Sequence, residues 1–255
     1  MEIILLCYEA AKVQVSNRSY SMSLKSIAID TQLNWLASSE LRNDNSAARF
    51  LPHGFGAYLV ILLPLGIDRG VPIEQYSFST RTIQDLNARV YFWNQYGIVN
   101  GNPPPENLEH ITYREIAQQL GLPYDATFNS EAIFKAYGNH WPPHLGGSEA
   151  FDKAFIQSLV ALLGADTATY FYGDAEDGKY HFTDDGLESW FESGIATDLD
   201  DILQQENDFP TYTFATDHSW CLYHQEDASW LVLGCSRSLA ETIAASVALE
   251  SFTIS

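Results

Sequence analysis

The sequence predicts an α+β fold: antiparallel sheets with helices packed on one face, ending in a β-β-β-α-β unit. Three observations carry this. The last third holds three runs rich in aromatic and branched residues, "TYTFA", "WCLYHQ" and "WLVLGCS", separated by the short polar turns "TDHS" and "EDAS". The middle third is helical and punctuated by caps. A chain of 255 residues that is 46% hydrophobic can also bury a sizeable core. It reads as one α+β domain over 1–255, and a division into a strand-rich 1–105 and a helix-then-sheet 106–255 is equally compatible with the pattern.

Along the chain, "EIILLC" and "AKVQV" read as strands, and a Ser/Asn-rich stretch from Ser38 to Ala48 reads as a loop. "SIAIDTQLNWLASSEL" is ambiguous between helix and strand. "YLVILLPL" is a strand, and "STRTIQDLNARVYFWNQYG" suggests a helix. "NGNPPPENLEH" is a loop, because three successive prolines hold the backbone extended. Thr112 and Glu115 form a capping box before "IAQQLG", with Gly121 placed to end the helix. Ser130 and Ser148 are candidate caps for "EAIFKAYG" and "EAFDKAFIQSLVALLG". Phe151, Phe155, Leu159 and Leu162 make a core-facing stripe in the second of these, and Gly164 is its expected left-handed terminator. "TATYFYG" is a strand, and Asp177-Gly178 marks a hairpin turn. Ser238 and Glu241 predict a capping box for the last helix, and "LESFTI" closes the chain as a strand.

Charge is the strongest global signal. With 33 acidic against 13 basic side chains the formal net charge is −20. That argues against nucleic acid and against anionic membrane surfaces as partners. It favours fast, salt-sensitive association with a basic protein. Between Asp174 and Asp208 there are twelve acids and one lysine, Lys179. In the same segment Leu187, Trp190, Phe191, Ile195, Leu199, Ile202 and Leu203 recur at three- and four-residue steps, which predicts helical turns with an acidic outer face. No stretch approaches the roughly 18 apolar residues of a membrane span. Glu2 stands where a signal peptide needs positive charge, so a soluble, cytoplasmic protein is expected. Three cysteines without a C-x-x-C pair read as reduced, buried thiols.

The stretch "FATDHSWCLYHQ" carries the reactive-looking residues. Asp217, His218 and Ser219 are consecutive, which suits a turn whose side chains bond the local backbone better than a triad. Alternation places Trp220, Leu222 and His224 on one face of a strand and Cys221 and Tyr223 on the other, so Cys221 and His224 do not chelate together. His140 and His144 lie on a proline-broken loop. Neither a tetrahedral metal set nor a glycine-rich phosphate loop is legible, and no metal or cofactor is expected.

Four stretches occur in order: "RFLPHGFGAYLVILLPL", "ITYREIA", "TATYFYG" and "FATDHSWCLYHQEDASWLVLGCSRSLAETIAASVALESFTI". In this the chain resembles a group of uncharacterised bacterial proteins of actinobacterial type. They share a Leu-Pro-x-Gly-Phe-x-Ala-Tyr stretch, a Trp/Tyr-rich strand, an aspartate before Ser-Trp, then Gly-Ser and a terminal helix. Here Gly234-Cys235-Ser236 replaces the usual Gly-Gly-Ser, and an acidic insert precedes Phe209. The resemblance implies an immunity-type or small binding module and transfers no catalytic residues.

Two functions are therefore expected from different classes. The first is a non-enzymatic, immunity-type inhibitor of a cognate bacterial toxin with a basic surface. Its acidic face would comprise Asp174, Asp177, Asp184, Asp185, Glu188, Glu192, Asp198, Asp200 and Asp201, with Trp190, Phe191 and Trp230 as aromatic anchors. The second is a hydrolase-type enzyme with a pocket using His53, His218 or His224. The oligomeric state is not legible.

Overall fold

The computed structural model describes residues 24–28, 32–38, 47–147, 152–183, 186–206 and 208–254. The predicted strands "EIILLC" and "AKVQV", the Ser148 cap, and Asp184 and Asp185 lie outside the described residues.

In chain order the elements are β1 (Lys25–Ser26), α1 (Asn34–Ser38), a 3-10 turn (Ala47–Phe50), β2 (Ala57–Leu62), β3 (Leu65–Ile67), α2 (Ile83–Tyr96), β4 (Glu109–Ile111), α3 (Tyr113–Leu120), α4 (Ser130–Ala136), β5 (Leu145–Gly146), α5 (Asp152–Leu163), β6 (Ala168–Gly173), β7 (His181–Thr183), β8 (Gly186–Glu188), β9 (Trp190–Ile195), α6 (Leu199–Glu206), β10 (Tyr212–Ala215), β11 (Cys221–Tyr223), β12 (Trp230–Cys235), α7 (Arg237–Ala244) and β13 (Glu250–Ile254). Eight strands form one antiparallel sheet in the order β1-β9-β6-β10-β11-β12-β2-β13. The fold is α+β, and β10-β11-β12-α7-β13 is the C-terminal unit read from the sequence.

That unit is interrupted in space. β13 does not lie beside β12; β2 sits between them, pairing Val60 with Val232 on one side and with Phe252 on the other. Being covered on both faces, β2 and β12 have no polar side to show, which is why "AYLVIL" and "WLVLG" read as unbroken apolar runs. Alternation still sorts them: Leu59, Ile61, Leu231 and Leu233 pack under α5, α6 and α7, while Tyr58 and Val232 face the other way. On that second face the 3-10 turn and α1 cover Phe191, Phe214, Cys221 and Tyr223.

A small sheet, β4-β3-β5, continues from the end of β2 past Leu63-Pro64 and, with α3 and α4, forms its own apolar cluster around Ile111, Phe128 and Ile133. It is tied to the main sheet by Glu250. The Glu250 carboxylate accepts the backbone N–H of Tyr113 at 2.7 Å and of Arg114 at 3.1 Å, and the Tyr124 hydroxyl at 2.8 Å. The free donors of the first turn of α3 are thus met by an acid from β13.

The Thr112–Glu115 capping box and the left-handed Gly121 and Gly164 form as expected. Elsewhere the caps shift. Asn129, not Ser130, accepts from Ala132 N, and Ser236, not Ser238, accepts from Leu239 N. In both places two polar residues one or two positions apart compete and the backbone turn selects the earlier one. Asp177-Gly178 is not a hairpin turn: it ends a 3-10 turn with Gly178 at φ +84°, and β7 pairs with β8 instead of β6.

The largest correction concerns 187–203. Residues 186–188 and 190–195 are strands, and the helix begins only at Leu199. β9 buries residues on both faces, Trp190 under the helices and Phe191 opposite, and a strand buried on both sides imitates helical spacing.

Candidate functional site

One end of the main sheet collects three connections. After β6, Asp174 accepts from Glu176 N at 3.0 Å and its carbonyl accepts from Lys179 N at 2.9 Å, so the chain turns back on itself. Left-handed Gly178 then directs Lys179 inward. A side chain at Gly178 would collide with the carboxylate of Glu226, which comes from the β11–β12 turn. The third connection brings Asp208 in just before β10.

At their meeting point Lys179 Nζ donates to the carbonyl of His224 at 2.6 Å and to its Nδ1 at 2.9 Å. His224 Nε2 lies 2.9 Å from the Ala228 carbonyl, which only accepts, so Nε2 carries the proton and Nδ1 offers its lone pair. Asp208 lies 3.8 Å from Lys179 Nζ and 3.3 Å from His224 Nδ1, and its Oδ1 accepts from Phe209 N at 2.7 Å. Lys179 and His224 are 7% and 3% exposed.

Burial dominates the electrostatics. It pushes Lys179 down to about 8, although Asp208, Asp177 and Glu226 pull the other way. His224 falls to about 3, from burial first and then the Lys179 charge. Asp208 and Asp177 are both raised by burial, against the pull of Lys179. The Lys179–Asp208 attraction therefore does not repay desolvation, as expected for a buried pair beyond hydrogen-bond distance. With both ring nitrogens engaged, His224 has none left to take a proton from a substrate. The trio works as a strut that fixes three turns.

What the strut holds in place is acidic. Asp174, Glu176, Asp177, Asp208, Glu226 and Asp227 stand on these three connections, and the cation among them is buried. Beside them is a cleft of about 520 Å³, with Asp208, Glu226 and Asp227 along one side and Trp141, Leu63 and Pro64 among the apolar walls.

The residues singled out in the sequence scatter. Asp174 and Asp177 belong to this end of the sheet. Glu188 is exposed on the β7–β8 ribbon, and Asp200 and Asp201 are half-buried in the first turn of α6, where acids suit the helix dipole. Glu192 and Asp198 are buried, the latter accepting from Ile195 N at 2.8 Å, so neither lies on the surface where another protein would dock. Trp190 and Phe191 are core residues, 6% and 2% exposed, and are not anchors; Trp230 is half-buried. Glu226 and Asp227 were legible only as turn formers, because nothing local tells that the β11–β12 turn meets the connection after β6.

The histidines do not assemble. His53 is exposed. His218 occupies a left-handed position, φ 59°, in the β10–β11 turn and stacks on Trp35 at 4.1 Å, while Asp217 accepts from Ser219 N at 3.0 Å. His224 is at the other end of β11. Among the described residues no three of His, Cys, Asp and Glu gather as a metal-ligand set, and no helix is long and apolar enough to cross a membrane.

The fold and site define an acidic α+β protein with a carboxylate-lined cleft at one end of an eight-stranded sheet. No protein-family model, curated protein or solved structure matches the chain.

Proposed function

We propose that the protein is a non-enzymatic acidic binding protein, an immunity-type inhibitor that neutralises a cognate bacterial toxin through that toxin's basic surface. The observation that carries this is the gathering of carboxylates at one end of the sheet, where Asp208 from one connection and Glu226 and Asp227 from another line a single cleft beside the buried Lys179. A net charge of −20 speeds encounter with a basic protein, and the cleft offers a basic side chain a place to be held. The aromatic contribution expected from Trp190 and Phe191 passes to Trp141, which is half-buried and lines the cleft, whereas Trp230 does not border it.

Co-expression with the product of the adjacent gene, followed by pull-down in rising salt, tests this. A complex that weakens with salt and is lost in Glu226→Lys/Asp227→Lys, with the circular dichroism of the variant unchanged, is the expected result. A salt-insensitive complex, or none, counts against it. The alternative, a hydrolase using His53, His218 or His224, draws no comparable support: one is exposed, one is a stacked turn residue and one has both nitrogens occupied.

A further inference from the structure

The second face of the main sheet has two covers. The 3-10 turn at 47–50 lies over the middle strands, and the α3–α4 layer packs against the β2–β13 side. Between them runs a trench of about 450 Å³. Its floor is the sheet itself, with Val60, Trp230 and Phe252 from three adjacent strands. One wall is Arg49 and Phe50, and Phe128 and Ala126 stand on the other.

Three properties of this trench select one kind of occupant. Its aromatic floor and walls favour a flat ring, which gains stacking and edge contacts there. The volume falls within the range of small-ligand sites, roughly 300–1,000 Å³. At the rim Arg49 is exposed, with its guanidinium held 4.5 Å over the Phe50 ring. Among the described residues no carboxylate pairs with Arg49. Phe50 is itself stacked on Tyr223 at 4.6 Å, so the guanidinium is carried on a fixed aromatic support. The acid on the facing wall, Glu131, is matched by Lys135 at 2.7 Å. The −20 charge of the rest of the chain is screened beyond a Debye length of about 8 Å at physiological salt.

We propose that this trench binds a small planar aromatic carboxylate, its ring lying against Trp230 and Phe252 and its carboxylate meeting the Arg49 guanidinium. The site is separate from the acidic cleft: the β11–β12 turn divides them, Gln225 bordering the trench and Glu226 and Asp227 the cleft.

The test is calorimetric titration of the full chain with 2-naphthoate and with its neutral counterpart 2-naphthamide. Saturable one-site binding of the acid is expected, with the amide weaker by about ten-fold or more, as for loss of a charge-assisted contact. Arg49→Gln, at an exposed position, should bring naphthoate down to the amide's affinity and leave the amide unchanged. Ala126→Trp, also at an exposed position, should block both. Equal affinities for acid and amide, unchanged naphthoate binding in either variant, or no saturable binding would overturn the proposal.

Discussion

Lys179 Nζ donates across 2.9 Å to Nδ1 of His224, a contact between residues 45 apart in sequence that holds two turns of the sheet together. Both partners are buried, so neither can be removed without leaving the other's polar atoms unmet.

Lys179→Met should therefore destabilise the fold by about 2 kcal/mol, because His224 Nδ1 and the His224 carbonyl lose their common donor and Asp208 loses the cation beside it. The double variant Lys179→Met/His224→Phe should recover part of that loss. Urea unfolding of the four proteins of the cycle measures it, and strict additivity would show that the two side chains act independently.

Acid should weaken the protein before its carboxylates titrate. His224 sits at about 3 and His144 at about 4 in the folded chain, both depressed first by burial, against an ordinary 6.5. The unfolded chain binds more protons across those windows, so stability rises with pH up to about 6.5 and is lost as pH falls below it. Asp208 and Asp177, whose values are raised, oppose this only nearer the carboxylate range. Thermal unfolding at pH 7, 6 and 5 should show a falling midpoint, and His144→Asn should flatten the slope.

At alkaline pH the same lysine gives an opposite-looking signature with the same sign of linkage. Its folded value of about 8 lies below the ordinary 10.5, so stability should rise as pH increases through that interval. Lys179→Met should abolish the rise, which denaturation at pH 8 and pH 10 would detect.

Glu250→Ala removes the acceptor of two backbone N–H groups and a tyrosine hydroxyl. A loss of about 2 kcal/mol is expected, with Glu250→Gln costing less because its amide oxygen can still accept. Hydrogen exchange should localise the effect to 113–120, and uniform loss of protection would argue that the bridge is not local.

Gly173→Ala should cost about 1–3 kcal/mol, since the added methyl would collide with the Trp190 indole packed on Gly173 across the β6–β9 pair. A lowered melting temperature and a changed Trp fluorescence spectrum would report it.

Local chemistry made several elements legible from sequence alone. The Thr112–Glu115 box, left-handed Gly121 and Gly164, the alternation of Trp220 and Leu222 against Cys221 and Tyr223, and the Asp217–Ser219 turn each depend on residues a few positions apart. The acidic character was also plain, but not its placement. Once a strand is buried on both faces its period vanishes, so Trp190 and Phe191 looked like one side of a helix when they occupy two sides of a sheet.

Composition, charge, the Thr112–Glu115 cap, the Asp217–Ser219 turn and the class of fold were thus determined by the sequence itself, because each is set within a short window or by a sum over the chain. Only the tertiary structure decided that β2 enters between β12 and β13, that Glu250 caps a helix 137 residues away in sequence, and that Lys179 is buried against His224. Those are pairings between distant segments, fixed by which surfaces can be buried together, and no local pattern of residues encodes them.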